Sequence, residues 1–155
     1  MLGFVLVLGL AVPSVFCGLT GGWFEHNGYL YSFSDHALNF VDANAKCSAS
    51  GARLAQIDNQ DKQDWIAAQL KKLGVIDAYF GGSSREQVSV WKWVPSQEPF
   101  KYTNWYPGEP NYPEAARCVF LEGVKNYTWD NVGCHIPYNY VCEKRACSCP
   151  WSGCV

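Results

Sequence analysis

The sequence predicts an α+β domain in which two helices come before a group of short antiparallel strands. Apolar residues recur at helical spacing over residues 37–50 and again over residues 60–73. Short β-type runs follow at residues 79–81, 90–94, 118–121 and 138–142. Helices that are separated from the strands along the chain are typical of α+β folds, which place them beside an antiparallel sheet.

Turn and capping residues mark where these elements begin and end. Asn27-Gly28 lies inside an aromatic stretch and predicts a tight β-hairpin near the N-terminus. Asp58 or Asn59 can cap the second helix, and Gly74 is placed to end it.

A long irregular segment separates the second and third of the predicted strands. Between Pro95 and Ala116 the chain carries four prolines and shows little periodicity. Irregular segments of this length inside a compact domain are usually functional, so we expect binding residues here.

Length and composition restrict the class of protein. A chain of 155 residues is long enough for one domain with a sizeable core. An apolar fraction of 48% argues against disorder, and a net charge of -2 lacks the basic excess that nucleic-acid binders show. No metalloprotease, nucleophile-elbow or phosphate-loop motif is present in the sequence, so we expect no enzyme.

The first 17 residues predict a signal peptide and therefore secretion. They are uncharged and run apolar from Leu2 to Leu10, which is shorter than the roughly 20 residues of a membrane span. Cleavage near Cys17 would leave a domain over residues 18–145 and a cysteine-rich tail over residues 146–155. A buried N-terminal strand is the alternative interpretation.

The eight cysteines predict disulfide bonds in a secreted chain. Zinc binding is the competing interpretation, but the cysteines of the domain lack the CxxC pairs typical of such sites. Loss of Cys17 would leave an odd number, so one cysteine would be free or bonded to another chain. We expect a disulfide-linked homodimer through Cys147, Cys149 or Cys154.

A series of short motifs runs through the chain from Trp23 to Cys142. In order they are Gly22-Trp23, Tyr29-Leu30-Tyr31, Tyr79-Phe80-Gly81-Gly82, Trp91-Lys92-Trp93, Asn104-Trp105, Glu109-Pro110-Asn111, Trp129-Asp130-Asn131 and Tyr140-Val141-Cys142-Glu143. Each motif alone carries little information, but the ordered set resembles the C-type lectin-like family.

This resemblance implies a secreted, non-enzymatic lectin that binds glycans through Ca²⁺, as in innate immune recognition. It implies the bridges Cys47–Cys142 and Cys118–Cys134, and a cis peptide bond between Glu109 and Pro110. Both the calcium ligands and the sugar contacts would come from Glu109, Asn111, Asp130 and Asn131. The Glu-Pro-Asn order is associated with mannose-type sugars.

Two departures from the family pattern predict weak or altered sugar specificity. Ala116 stands where the family usually has a glutamate, and Glu114 could reach inward to replace it as a metal ligand. Asp130-Asn131 inverts the family's Asn-Asp order, and an ionised Asp130 cannot donate a hydrogen bond to a sugar oxygen. The alternative is a calcium-independent domain that binds protein or mineral surfaces, with Asp130 and Asn131 merely forming a turn.

Three further residues near the predicted site have open roles. Tyr106 and Tyr112 flank the tripeptide and could stack on a sugar or pack in the core. Asn126 begins an Asn-Tyr-Thr sequon, which predicts N-glycosylation close to the site.

Overall fold

The structure is a computed structural model that describes residues 22–146 and confirms the α+β prediction. Within this range the elements are β1 (Trp23–His26), β2 (Tyr29–Phe33), α1 (Phe40–Ala49), β3 (Arg53–Leu54), α2 (Gln60–Leu73), β4 (Asp77–Ser83), β5 (Lys92–Trp93), β6 (Cys118–Glu122), a 3₁₀ turn (Gly123–Lys125), β7 (Thr128–Val132) and β8 (Asn139–Arg145). Among these residues, neither helix combines the length and apolar character needed to cross a membrane.

The strands join in the order β1-β2-β8-β4-β6-β7, with β3 paired to β8 and β5 paired to β4. All pairings are antiparallel except that of β4 with β8, which is parallel over the short register Ala78↔Asn139 and Tyr79↔Tyr140. Because β8 pairs with both β2 and β4, it links the N-terminal hairpin to the strands that carry the long loop.

Local signals place the hairpin and both helices close to their predicted positions. Asn27 and Gly28 have φ angles of 47° and 77°, the left-handed values that a two-residue type I′ turn requires. Helix α2 has its predicted bounds, since the Asn59 side chain accepts from the N–H of Lys62 and Gly74 ends the helix with a φ of 70°.

Helix α1 begins at Phe40 rather than at residue 37 as predicted. Leu38 forms a β-bridge with Tyr138, and the side chain of Asn39 accepts a hydrogen bond from the N–H of Asp42 at 3.0 Å. The bridge holds the preceding residues in extended backbone, so the helix starts after its cap.

Both disulfide bonds implied by the family resemblance are present. Cys47–Cys142 joins α1 to β8 across a separation of 95 residues, and Cys118–Cys134 joins the start of β6 to the segment after β7. In the chain-entropy model the longer closure stabilises the fold by about 4 to 5 kcal/mol.

An aromatic core positions β7. Trp129 is fully buried, and its ring packs against Phe80, Phe100 and Trp105 at centroid distances of 4.9–5.7 Å. Its indole N–H donates to the side-chain oxygen of Gln63 at 2.7 Å. The residues that follow Trp129 therefore leave the core at a defined position.

Asp130 and Asn131 lie within β7, so the alternative of a turn after Trp129 is wrong. They pair with Phe120 and Val119 of β6, and both are largely buried. The sequence patterns did not predict this strand because Asp and Asn are depleted in strands, and its conformation depends on pairing with β6.

Candidate functional site

The long loop, residues 94–117 between β5 and β6, is bound along β7 by backbone hydrogen bonds. The N–H of Trp129 donates to the carbonyl of Asn104 at 2.8 Å, and the N–H of Tyr106 donates to the carbonyl of Trp129 at 2.9 Å. The N–H of Glu109 then donates back to Tyr106 at 2.9 Å, and the peptide bond before Pro110 is cis. These contacts bring the Glu109-Pro110-Asn111 tripeptide beside Asp130.

Asn131 fixes the second half of the loop. Its side-chain oxygen accepts from the N–H of Asn111 at 2.9 Å, and its amide nitrogen donates to the carbonyls of Asn111 and Ala116, the latter at 2.8 Å. The residue is only 7% exposed. Its polar atoms are therefore engaged by loop backbone, and the structure does not direct this predicted ligand towards Glu109 and Asp130.

Three carboxylates surround the ammonium group of Lys125. Its Nζ lies 2.6 Å from Asp130 Oδ2, 2.8 Å from Glu122 Oε2 and 4.0 Å from Glu109 Oε1. It also lies 4.7 Å from the ring centre of Tyr106. We call Glu109, Glu122, Lys125 and Asp130 the carboxylate–lysine cluster.

The cluster carries more negative than positive groups. Burial raises the pKa of Glu109, the charge of Asp130 raises it further, and the Lys125 ammonium partly offsets both. The hydrogen bond to Asp130 and then the close contact with the Glu122 carboxylate raise the pKa of Lys125 well above its ordinary value. Lys125 is therefore held in its charged form.

Two oxygens of the cluster lack a hydrogen-bond partner among residues 22–146. They are Oε2 of Glu109, whose side chain is 10% exposed, and Oε2 of Glu122, which Lys125 contacts only as an ion pair. An unpartnered carboxylate oxygen at such burial is costly, and it marks a place where a cation or hydrogen-bond donor would be favourable.

Glu114 does not replace the glutamate that is missing at position 116. Its side chain is 81% exposed and pairs with Arg117 at 3.1 Å. The N–H groups of Ala115 and Ala116 both donate to the carbonyl of Tyr112, and this tight turn carries Glu114 into solvent. Ala116 is buried and contributes only its carbonyl, which accepts from Asn131.

Sequence reasoning missed Glu122 and Lys125. Glu122 pairs with Thr128 and Phe120 pairs with Asp130, so Glu122 and Asp130 share one face of the β6–β7 hairpin. The spacing of three between Glu122 and Lys125 is the one sequence signal that could have suggested an ion pair here.

As folded, the cluster does not fit calcium. Calcium takes six to eight oxygens at about 2.3–2.6 Å. Asp130 and Glu122 are suitable donors, but the Lys125 nitrogen lies 2.6 and 2.8 Å from those same oxygens, where the ion would have to be. The Asn131 amide is also engaged elsewhere, and no group of three or more acidic, histidine or cysteine side chains within residues 22–146 is arranged to hold a metal.

Comparison with known proteins identifies the fold and the family. The model of the lectin C-type domain matches residues 36–144. Perlucin of Haliotis laevigata is 31% identical over 127 residues, covering 80% of this chain and 81% of that protein. The galactose-specific lectin nattectin of Thalassophryne nattereri is 26% identical, covering 80% and 79%.

Solved structures agree with this assignment. The carbohydrate-recognition domain of the mouse scavenger receptor C-type lectin matches with a TM-score of 0.76 at 27% identity, over 84% of this chain and 99% of that one. A calcium-independent type II antifreeze protein matches with a TM-score of 0.75 at 25% identity, over 81% and 93%. With its ordered motifs, two disulfide bonds and long loop, this chain belongs to the C-type lectin domain family.

Proposed function

We propose that this chain is a glycan-binding lectin domain that contacts sugars through the surface of the long loop beside β7. The family supports glycan binding, since similar proteins include a carbohydrate-recognition domain and a galactose-specific lectin. The observation that carries the proposal is the grouping of Glu109 and Asp130 around Lys125, beside the ring of Tyr106, on the loop that also carries Asn111 and the exposed Tyr112.

These side chains offer the contacts that a sugar needs. The Asn111 amide can both donate to and accept from a hydroxyl, and its backbone alone is engaged with Asn131. Glu109 provides an unpartnered acceptor oxygen. Tyr112 is 77% exposed and Tyr106 is 39% exposed, so both can present an apolar face beside the polar groups.

Calcium-dependent binding of mannose-type sugars, which Glu109-Pro110-Asn111 implies, is the alternative mode. The unpartnered oxygen of Glu109 favours this calcium-dependent mode, because the three carboxylates together carry more negative charge than one ammonium group neutralises. This mode requires Lys125 to leave Asp130 and Glu122. We propose binding without calcium, since the cluster as folded already contains its cation.

Secretion and a disulfide-linked dimer remain proposals. The signal peptide over residues 1–17 and the cysteines Cys147, Cys149 and Cys154 lie outside the residues that the structure describes.

We also propose N-glycosylation of Asn126, which is exposed at the end of the 3₁₀ turn. An enzyme that removes N-glycans should reduce the mass of the secreted native chain but not of Asn126→Gln, and equal masses before and after treatment would contradict it.

A glycan array tests the proposed function. The native chain should bind a defined set of glycans, and Asn111→Ala and Tyr112→Ala should each weaken that binding at least about tenfold, since each removes contacts worth about 1.4 kcal/mol or more. Phe24→Ala is the control, because Phe24 is an exposed aromatic on β1 at the opposite end of the sheet order from β7.

Two results would overturn the proposal. One is the absence of glycan binding with and without calcium, which would favour the role on protein or mineral surfaces. The other is binding that both loop variants retain, which would place the glycan elsewhere on the domain.

A further inference from the structure

We propose that Lys125 is a positioning residue whose ammonium group is the built-in cation of the long-loop site. It would hold the loop in its binding conformation without calcium. The inference rests on the proposed function only for the identity of the ligand, because the role of Lys125 in ordering the loop does not depend on what the loop binds.

The first argument is the origin of the three carboxylates. Glu109 comes from the long loop, Glu122 from the end of β6 and Asp130 from the middle of β7. The ammonium lies within 4.0 Å of all three. One cation thus joins three separate segments, which is the structural contribution that a bound metal ion makes in a loop site.

The second argument is electrostatic. Without a cation, three carboxylates would face one another at low exposure, and like charges at this range oppose one another. The Arg117 guanidinium is paired with Glu114 outside the cluster. Among residues 22–146, Lys125 is the one positive group found within ion-pair distance of Glu109, Glu122 or Asp130.

The third argument is that the backbone presents Lys125 in a fixed position. The N–H of Gly123 donates to Asp77 at 3.2 Å, and the hydroxyl of Thr128 donates to the carbonyl of Lys125 at 2.8 Å. A Cβ atom at position 123 would lie 2.4 Å from the carbonyl oxygen of Ile76, so only glycine allows this close approach. The turn that carries Lys125 is therefore anchored at both ends.

Calcium would have to displace this ammonium. Displacement breaks the charge-assisted hydrogen bond to Asp130 at 2.6 Å and the ion pair with Glu122 at 2.8 Å. Each of these contacts is worth roughly a tenfold factor or more, so the native chain should bind calcium about 100-fold or more weakly than a variant without the ammonium.

The experiment compares the native chain with Lys125→Met and with Lys101→Met. The Lys101 control removes the same charge from an exposed lysine of the same loop. Thermal unfolding is recorded in chelator and in calcium chloride, and calcium binding is titrated by calorimetry on all three chains. None of these readouts uses a glycan, so a failed array does not affect them.

We expect the native chain and Lys101→Met to unfold at the same temperature in chelator and in calcium, with no calcium binding detected. Lys125→Met should unfold at a lower temperature in chelator, and calcium should restore part of the loss. A purely structural lysine would show no such rescue.

Calcium binding by the native chain would overturn the inference even if Lys125→Met did not fold. So would a Lys125→Met variant as stable in chelator as Lys101→Met, or one that calcium fails to rescue.

Discussion

Replacing Asn131 by aspartate should destabilise the domain, although the family commonly has aspartate at this position. The asparagine amide donates to the carbonyls of Asn111 and Ala116, and an ionised carboxylate cannot donate. Two lost hydrogen bonds cost about 2 kcal/mol. A carboxylate at 7% exposure that faces two carbonyl oxygens adds at least about 1 kcal/mol. We therefore expect a loss of about 3 kcal/mol in the free energy of unfolding.

Urea denaturation in the presence of chelator measures this loss without any contribution from calcium. Asn59→Asp is the matched control, because Asn59 is exposed and its side-chain oxygen, which caps α2 by accepting from Lys62 at 2.9 Å, is retained in aspartate. The control should change stability by no more than about 0.5 kcal/mol. An Asn131→Asp variant as stable as the control would refute the assignment of Asn131 as the residue that fixes the loop.

Two buried polar contacts give further predictions. Gln63→Ala leaves the indole N–H of Trp129 without the acceptor that lies 2.7 Å away. Urea denaturation should therefore show a loss of about 2 kcal/mol in the free energy of unfolding, and a loss below about 0.5 kcal/mol would contradict this prediction. Arg53→Met removes the guanidinium that lies 2.8 Å from the fully buried carboxylate of Glu143 and leaves Lys62, at 3.6 Å, as its remaining ion-pair partner. We therefore expect a loss of about 2 kcal/mol in the free energy of unfolding. The exposed Arg85→Met serves as its control, and equal effects of the two changes would show that the buried pair contributes little.

The parts of the fold that depend on local signals could be predicted from the sequence. Asn59 and Gly74 define α2 because capping and left-handed termination act within one turn of the helix. Asn27-Gly28 defines the first hairpin for the same reason. The disulfide pairing followed from the family resemblance rather than from the spacing of the cysteines.

The missing parts depend on contacts between segments that are distant along the chain or on register. Strand β7 has two polar residues at its centre, and only its pairing with β6 holds it extended. The approach of Glu122 to Asp130 requires that same register. Glu114 was expected to replace the glutamate that is missing at position 116, but the turn at Tyr112 directs it into solvent.

The carboxylate–lysine cluster changes what the Glu109-Pro110-Asn111 motif implies. In this chain the Lys125 ammonium lies within 4.0 Å of both Glu109 and Asp130, and Asn131 binds loop backbone. Exchanging Asp130 and Asn131 to restore the family order should therefore disrupt the loop rather than improve the site.

The most direct test of a calcium-free glycan site is the affinity of the native chain for its best array glycan, measured by titration in chelator and again in calcium. A glycan site that uses Lys125 as its cation predicts the same affinity in both buffers. Binding that disappears in chelator and returns with calcium would contradict it.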